Sequence, residues 1–256
     1  MPDSYIIDAL ATIEQVLRSV RPELLGNYGL ISHDRKQDLS PVTRLDKQIE
    51  NDLKNALKPL DESVGFYGEE FGEEGDKGTF WTIDPIDGTE AFVRGMPFCS
   101  NMLCLIEDGQ PSAALIYNFV LDELYTAQRG KGAYLNGQPI KVSKRTIEHA
   151  AVEYECSLEL AENRKGYIEI PRYGRYRFFA AGYGFTQVAK GAMEARVQYQ
   201  PYGMIYDYAP GALLVQEAGG LVANIGSSTY NYKNINFIAS NQQVHNQLQK
   251  AFKATT

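Results

Sequence analysis

Four short apolar runs between residues 80 and 128 constrain the fold more than any other feature of the sequence. They are FWTID, NMLCLIE, SAALIYNF and ELYTAQ, which begin at Phe80, Asn101, Ser112 and Glu123. Gly, Pro and Asp-Gly turn signals separate them. Runs of this length, rich in aliphatic and aromatic residues and bounded by turn residues, predict β-strands. The middle of the chain is therefore expected to form a sheet of neighbouring strands.

Two helices are predicted before these strands. The first has apolar residues at helical spacing from Ile6 to Val20, and Pro22 is expected to end it. The second repeats leucine or isoleucine every four residues between Leu45 and Leu57, a spacing that places all of them on one face.

Strands and helices alternate in the last third of the chain. FFAAGYG (178–184) is interpreted as the end of a strand and TQVAKGAM (186–193) as a helix. A further helix follows Asp207, LVANI and INFIAS are predicted strands, and QVHNQLQKAF is a closing helix. Grouped strands followed by alternation predict two layered halves, residues 1–145 and 146–256.

Composition excludes several classes of protein. The 256 residues carry 25 Lys and Arg against 32 Asp and Glu, a net charge of −7, which argues against a nucleic-acid partner. No run of 18 apolar residues occurs, so no membrane span is predicted. The N-terminal residues are acidic where a signal peptide is basic, and the three cysteines form no Cys-x-x-Cys pair. A cytoplasmic location is the resulting expectation.

Acidic residues stand at the ends of predicted elements. The segment IDPIDGTEAF gives the strongest signal, because Pro85 is expected to turn the chain sharply and aim Asp84 and Asp87 the same way. The Ile86 carbonyl lies between them and is free to bind a cation. Gly88 and Thr89 then begin a short helix, whose free N–H groups can hold a phosphate.

Four carboxylates, those of Glu69, Asp84, Asp87 and Asp207, are expected to converge. Clustered carboxylates raise one another's pKa, so they do not stay ionised together without counter-charge. Mg²⁺ takes oxygen ligands and combines one or two carboxylates with substrate phosphate. Two or three divalent ions would neutralise this cluster and attract a phosphate dianion, which explains how an acidic protein binds an anion.

Several motifs then resemble the signatures of one family. In chain order they are Gly68-Glu69-Glu70, Asp84-Pro-Ile-Asp-Gly-Thr89, Tyr206-Asp207-Tyr-Ala-Pro-Gly211 and Glu217-Ala-Gly-Gly220. They are similar to those of the inositol monophosphatase family, a superfamily of Mg²⁺-dependent, Li⁺-sensitive phosphatases. KxDxSPVTxxD from residue 36 and GKGAYLNGQPIKVS from residue 130 fit as well, so the resemblance covers nearly the whole chain.

This resemblance implies a fold and a set of roles. The implied fold is α/β (α+β), a layered αβαβα sandwich shared with fructose-1,6-bisphosphatase and commonly dimeric. The implied ligands of two or three Mg²⁺ ions, with Mn²⁺ as a substitute, are Glu69, Asp84, the Ile86 carbonyl, Asp87 and Asp207. The resemblance implies that Thr89, hydrogen-bonded to Asp46, orients and helps to activate the attacking water together with Glu69. It also implies that Gly88, Thr89 and Asp207 bind substrate.

Two of these acids also have structural interpretations. Thr43-x-x-Asp46 is a relative of the capping box that begins helices, and Asp207 is well placed as a helix N-cap.

The function implied is hydrolysis of a small phosphate monoester. The alternatives are histidinol phosphate, a 3′(2′),5′-bisphosphate nucleotide or a sugar bisphosphate as substrate, or a catalytically silent phosphate-binding protein. Residues 197–205 contain no acid to bind sugar hydroxyls. An aromatic or doubly phosphorylated leaving group is therefore expected over inositol 1-phosphate, bound by Tyr, Arg and Gln side chains: Arg172, Tyr173, Arg175, Arg177, Tyr183, Arg196, Gln198 and Gln200.

Overall fold

The computed structural model of the chain describes residues 1–35, 41–156, 175–176, 180–201 and 203–253. A short antiparallel pair, β1 (Asp34–Arg35) and β2 (Pro41–Val42), comes first among its strands. The next eight are β3 (Gly65–Gly68), β4 (Gly72–Glu74), β5 (Thr79–Asp87), β6 (Ser100–Glu107), β7 (Gln110–Asn118), β8 (Glu123–Gln128), β9 (Gly132–Leu135) and β10 (Gln138–Pro139).

These eight strands pair in one sheet, in the order β10-β9-β8-β7-β6-β5-β3-β4. Neighbours are antiparallel except β3 and β5, which are parallel. The four predicted strands of the middle region are confirmed as β5 to β8. A two-residue turn joins β9 to β10, and its residues Asn136 and Gly137 have the positive φ angles that such a turn needs.

A second sheet forms in the C-terminal part of the chain. Its described strands are β11 (Val152–Cys156), β12 (Arg175–Tyr176), β13 (Ala195–Tyr199), β14 (Leu221–Asn224) and β15 (Phe237–Ser240), in the order β12-β11-β13-β15-β14. The strands β12, β11 and β13 are parallel, whereas β15 is antiparallel to both β13 and β14.

Helices fill the spaces around and between the two sheets. Those of the described residues are α1 (Asp3–Asn27), α2 (Arg44–Leu57), α3 (Thr89–Val93), α4 (Ala181–Ala189), α5 (Ile205–Glu217) and α6 (His245–Lys253). The helices α1 and α2 share a core with the first sheet, α4 and α5 pack between the sheets, and α6 packs on the second sheet. The predicted αβαβα sandwich is therefore confirmed.

Pro22 does not end α1, contrary to the sequence prediction. The helix continues to Asn27, and Leu24 is fully buried on its core face. Proline lacks the N–H of the helical hydrogen bond and costs about 3 kcal/mol inside a helix. Burial of one leucine side chain contributes about 1.5–3 kcal/mol, so the added apolar contact offsets most of that cost.

The interpretation of FFAAGYG as the end of a strand is wrong for its second half. Residues 181–184 form the first turn of α4, whereas Phe178 and Phe179 lie outside the described residues. The helix is apolar and buried along nearly its whole length. A short apolar run of this kind has no periodicity that separates a buried helix from a buried strand.

The predicted division into residues 1–145 and 146–256 falls between β10 and β11, where the chain passes from the first sheet to the second. The middle core joins residues of both halves, for example Tyr125 and Phe185. We keep this division as a proposal. In the part of the chain that the structure describes, no helix is long and apolar enough to cross a bilayer.

Candidate active site

Three carboxylates meet between the two sheets. Asp84 and Asp87 lie at the end of β5, and Asp207 lies in the first turn of α5. Each offers an oxygen that is within 4.8 Å of an oxygen from each of the others. Oδ1 of Asp84 is buried and has no hydrogen-bond partner among the described residues. An unpartnered buried oxygen beside two further carboxylates is a donor set that fits a hard cation such as Mg²⁺.

A bulge, not a turn, brings Asp84 and Asp87 together. The strand β5 continues through Pro85, so the predicted sharp turn is wrong. Asp84 pairs with Met102 and Asp87 with Ser100, so β5 advances three residues while β6 advances two. The extra residue of a bulge bends the strand and re-aims its side chains. Proline is tolerated there because no ladder hydrogen bond is lost.

Asp87 also anchors the start of α4. Its Oδ1 accepts a hydrogen bond from the N–H of Ala181 at 2.9 Å, and its Oδ2 from the N–H of Gly182 at 2.7 Å and the hydroxyl of Ser100 at 3.2 Å. A Cβ at Gly182 would lie 2.3 Å from Oγ of Ser100, so the helix can approach this closely only with glycine. Sequence reasoning missed the contacts of Asp87 with Ala181 and Gly182, which lie more than ninety positions further along the chain.

Asp207 is the third residue of α5 and not its N-cap, which is Met204. Its carboxylate accepts a hydrogen bond from the N–H of Met204. Asp207 is therefore not the N-cap that the sequence suggests, but it still caps the helix, because its side chain accepts a hydrogen bond from one of the free N–H groups at the helix start.

Asp46 combines two contacts. Its Oδ2 accepts hydrogen bonds from the N–H and the hydroxyl of Thr43 at 2.8 and 2.7 Å, which forms the predicted capping box of α2. Its Oδ1 lies 3.4 Å from the hydroxyl of Thr89, which also donates to the Ile86 carbonyl at 2.9 Å. The capping role and a contact with Thr89 thus coexist in one side chain.

Gly88 adopts a conformation that suits glycine. It is the N-cap of α3 with a φ of 77°, in the left-handed region. A Cβ there would lie 2.6 Å from both the Cβ of Ala180 and the carbonyl oxygen of Phe98. The backbone at Gly88 is therefore held closely between the segment that precedes β6 and the start of α4.

Glu69 lies beside the three aspartates rather than among them. It follows β3, and its N–H donates to the carbonyl of Ile83 on β5 at 3.0 Å. After burial, the charge of Glu69 is the largest cause that raises the pKa of Asp84. Glu69 is thus close enough for its charge to raise the pKa of both Asp84 and Asp207.

Burial dominates the electrostatics of these acids. It raises the pKa of Asp84 and Asp207 well above the usual range, with the neighbouring carboxylates adding to the effect. It raises the pKa of Asp87 to about 6, although hydrogen bonds from Gly182 and Ala181 oppose it. Burial likewise raises the pKa of Asp46 to about 6. The metal-free fold therefore favours protonated carboxyl groups, and a cation could replace those protons.

We expect the metal-free protein to lose stability as the pH rises from about 4, the usual pKa of an aspartate, through about 6, the pKa of Asp46 and Asp87. Because the folded-state pKa values of these carboxyls exceed those of the unfolded chain, the folded state binds more protons, and this stabilisation is lost as pH rises through the folded pKa values. Thermal unfolding in EDTA across this range measures the effect, with saturating Mg²⁺ as the control that should flatten it. A melting temperature that climbs steadily with pH in EDTA would contradict the expectation.

Sequence reasoning also missed an acid near the site. Glu155 of β11 is partly exposed, and its Oε1 accepts a hydrogen bond from the hydroxyl of Tyr208 at 2.9 Å. It is close enough to contribute to the raised pKa of Asp207. The run VEYEC carries acids at alternate positions, Glu153 and Glu155, which indicates that they share one face of the strand. That spacing could have pointed to them.

The expected substrate contacts of Arg196 and Gln198 are wrong, because both side chains are buried in the second sheet. Arg196 pairs with Glu153 and Glu155, and a buried guanidinium with such partners serves the fold rather than a solvent-exposed ligand.

Tyr183 packs its ring on Phe98 with 4.9 Å between centroids. Three other members of the expected set, Arg172, Tyr173 and Arg177, lie outside the described residues. Gln200 is exposed, and of Arg175 the backbone alone is described.

Comparisons with known proteins identify the family and the fold. The model of the inositol monophosphatase family matches residues 5–255. A histidinol-phosphatase of Mycobacterium tuberculosis is 30% identical over 202 residues, 75% of this chain and 77% of that protein. Inositol monophosphatase 3 of Solanum lycopersicum is 32% identical over 238 residues, 86% of both chains. Among solved structures, the suppressor protein SuhB of Bartonella henselae superposes with a TM-score of 0.86 at 28% identity, covering 95% of this chain and 98% of that one.

Proposed function

The chain belongs to the inositol monophosphatase family and is a phosphoric monoester hydrolase, and from this premise we propose that its carboxylate cluster holds Mg²⁺ for the hydrolysis of a small phosphate ester. The observation that carries the proposal is the convergence of Asp84, Asp87 and Asp207, together with the unpartnered Oδ1 of Asp84, as far as the described residues go. When bound, Mg²⁺ neutralises such carboxylates, polarises a phosphoryl group and lowers the pKa of water.

The proposed ligands of two or three Mg²⁺ ions, or of Mn²⁺ in their place, are Glu69, Asp84, the Ile86 carbonyl, Asp87 and Asp207. The Ile86 carbonyl already accepts a hydrogen bond from the Thr89 hydroxyl, but a carbonyl oxygen has a second lone pair that can bind a cation. The contact of Glu69 with Asp84 supports its inclusion.

The proposed catalytic residues are Glu69, Thr89 and Asp46. The Thr89 hydroxyl faces both the Ile86 carbonyl and the buried carboxylate of Asp46. It can therefore orient a water molecule and pass a proton towards Asp46. Since Thr43 holds the other oxygen of Asp46 through two hydrogen bonds, this acceptor stays in one position. The backbone N–H groups of Gly88 and Thr89 would hold the phosphate, with Asp207 on the other side of the substrate.

The substrate class is a small phosphate monoester, and the relatives do not select one. Relatives named histidinol-phosphatase and inositol monophosphatase are 28–34% identical to this chain. The expectation against inositol 1-phosphate relied on the absence of an acid just before Asp207 and on a set of eight Tyr, Arg and Gln side chains. Glu155 beside Asp207 removes the first argument, and the burial of Arg196 and Gln198 takes two members from the second, so we propose no order among the substrates.

A phosphate-release assay with Mg²⁺ tests the function. Inositol 1-phosphate, histidinol phosphate, a 3′,5′-bisphosphate nucleotide and a sugar bisphosphate are compared by kcat/KM. We expect at least one to be hydrolysed with a clear preference. If neither these four compounds nor any other small phosphate ester releases phosphate, the result would favour the catalytically silent alternative.

Lithium should inhibit the enzyme. This expectation comes from the family resemblance, since a small monovalent ion can occupy one Mg²⁺ position of a carboxylate site after turnover. Activity is measured at full Mg²⁺ with increasing LiCl, and NaCl at the same concentrations controls for ionic strength. Equal activity in the two salts at high concentration would count against kinship with the lithium-sensitive phosphatases.

We also propose a cytoplasmic homodimer. The two cysteines whose side chains the structure describes, Cys99 and Cys104, are buried free thiols, which agrees with a reducing compartment. The dimer is supported by the family resemblance. Light scattering coupled to size exclusion tests it directly, and a mass near 28.6 kDa would contradict it.

A further inference from the structure

Glu50 lies one helical turn after Asp46 on α2 and is fully buried. Its Oε2 accepts a hydrogen bond from the backbone N–H of Glu70 at 2.8 Å, and its Oε1 from that of Phe71 at 3.3 Å. These two N–H groups come directly after Glu69 in the chain. The same carboxylate pairs with Lys54, whose Nζ lies 3.0 Å from Oε1.

The chain also approaches Glu50 on the other side of Glu69. A Cβ at Gly68 would lie 1.8 Å from Oε1 of Glu50, which is far inside the contact distance. Residue 68 must therefore lack a side chain for the carboxylate to reach its two N–H partners. Glu50 thus contacts the backbone both immediately before and immediately after Glu69.

A third contact fixes Glu69 itself. Its N–H donates to the carbonyl of Ile83, the residue before Asp84. The backbone at Glu69 is therefore held between α2 on one side and β5, which carries Asp84 and Asp87, on the other. Without the carboxylate of Glu50, the N–H groups of Glu70 and Phe71 would lose this acceptor.

We infer that Glu50 is a positioning residue of the metal site, which holds the backbone around Glu69 so that the Glu69 carboxylate reaches the cluster. The inference rests on the proposed function, because it takes Glu69 as a Mg²⁺ ligand. The helix α2 then serves the site twice, through Asp46 at Thr89 and through Glu50 at Glu69. Partners that orient metal ligands typically change metal affinity or activity by about 10–100-fold when they are replaced.

The competing explanation is that Glu50 and Lys54 form a buried ion pair that serves stability alone. Removing one partner of such a pair is destabilising wherever it lies in a protein. A positioning role predicts in addition a change in Mg²⁺ affinity, which a purely structural role does not.

The test is Mg²⁺ binding by the full chain, measured by isothermal titration calorimetry and by the Mg²⁺-dependent shift of the melting temperature. Glu50→Gln keeps the size of the side chain but turns an NH₂ group towards one of the two N–H donors. We expect its Mg²⁺ affinity to fall by about tenfold. Activity should fall most at low Mg²⁺ and recover partly at saturating Mg²⁺.

Glu194→Gln is the matched control. Glu194 is also fully buried, accepts the N–H of Ala151 and pairs with Arg145, but it lies beyond the opposite end of α4 from Asp87. This variant should lose thermal stability as Glu50→Gln does, yet bind Mg²⁺ within about twofold of the wild type. If both variants lose affinity equally, the effect is general destabilisation and the inference fails.

A second variant covers the case in which Glu50→Gln does not fold. Gly68→Ala keeps the carboxylate but forces it away from the N–H groups of Glu70 and Phe71, so it should weaken Mg²⁺ binding by a similar factor. Wild-type affinity in either folded variant would overturn the inference while leaving the proposed function intact. Absence of saturable Mg²⁺ binding by the wild type would instead refute the proposed function, and the inference with it.

Discussion

Replacing Asp84 by asparagine should abolish phosphatase activity and, in the same protein, raise the melting temperature measured without metal. The side chain is fully buried, and its Oδ1 has no hydrogen-bond partner within the described ranges. Burial and the charges of Glu69, Asp207 and Asp87 all raise its pKa. In the unfolded chain Asp84 is ionised at neutral pH, so folding without metal must either bury its charge or bind a proton. An amide of the same shape avoids both costs and brings an NH₂ donor to the remaining carboxylates, so the metal-free fold gains stability.

Activity should move in the opposite direction. A neutral amide is a poor Mg²⁺ ligand, and we expect kcat to fall by about 10³-fold or more, which corresponds to about 4 kcal/mol of barrier. Mg²⁺ should stabilise the wild type but not the variant in thermal unfolding. Retention of more than about a tenth of wild-type activity, less than about 1.4 kcal/mol of barrier, would refute the ligand assignment. A lower melting temperature in EDTA would refute the electrostatic argument.

Asp87→Asn should lose activity to a similar extent but lower the melting temperature, with or without Mg²⁺. Asp87 accepts hydrogen bonds from the N–H groups of Ala181 and Gly182 and from the Ser100 hydroxyl. The NH₂ group of asparagine cannot accept, so at least one buried donor loses its partner, at a cost of about 1–3 kcal/mol. The start of α4 would then be held less firmly against β5.

The two variants control for one another, because each exchanges one carboxylate of the same cluster for an amide of equal size. Opposite shifts of melting temperature in EDTA, upward for Asp84→Asn and downward for Asp87→Asn, are expected from their different hydrogen bonds. Shifts of the same sign would show that the contacts of Asp87 with α4 do not contribute as described.

The secondary-structure elements and site features that depend on neighbouring residues could be predicted from the sequence. The strands β5 to β8 follow from apolar runs between turn residues, and α2 follows from its four-residue repeat and the Thr43-x-x-Asp46 signal. The spacing of Asp84 and Asp87 around Pro85 predicted that the two carboxylates share a side, although the mechanism is a bulge and not a turn. The family and the layered fold followed from motifs in their order along the chain.

Features that depend on distant contacts were not predictable in this way. The start of α4 docks on Asp87 from nearly a hundred residues away, and nothing in the sequence around Ala181 marks that partner. In the sequence, Glu50 resembles any other polar residue of an amphipathic helix. Its burial is evident only in the folded structure, where the backbone at Gly68 packs against its carboxylate. Glu155 reaches Tyr208 from another strand, so a search limited to the residues just before Asp207 could not find it.

The most direct test of the metal site is phosphate release before and after removal of divalent ions. The best substrate of the four is assayed with the protein as purified, after exhaustive chelation, and after Mg²⁺ is added back, with an equal concentration of Na⁺ salt as the control. We predict that turnover disappears on chelation and returns with Mg²⁺, because Asp84, Asp87 and Asp207 converge and one buried oxygen of Asp84 lacks a hydrogen-bond partner in the described structure. Equal turnover after exhaustive chelation would contradict a metal-dependent mechanism at this site.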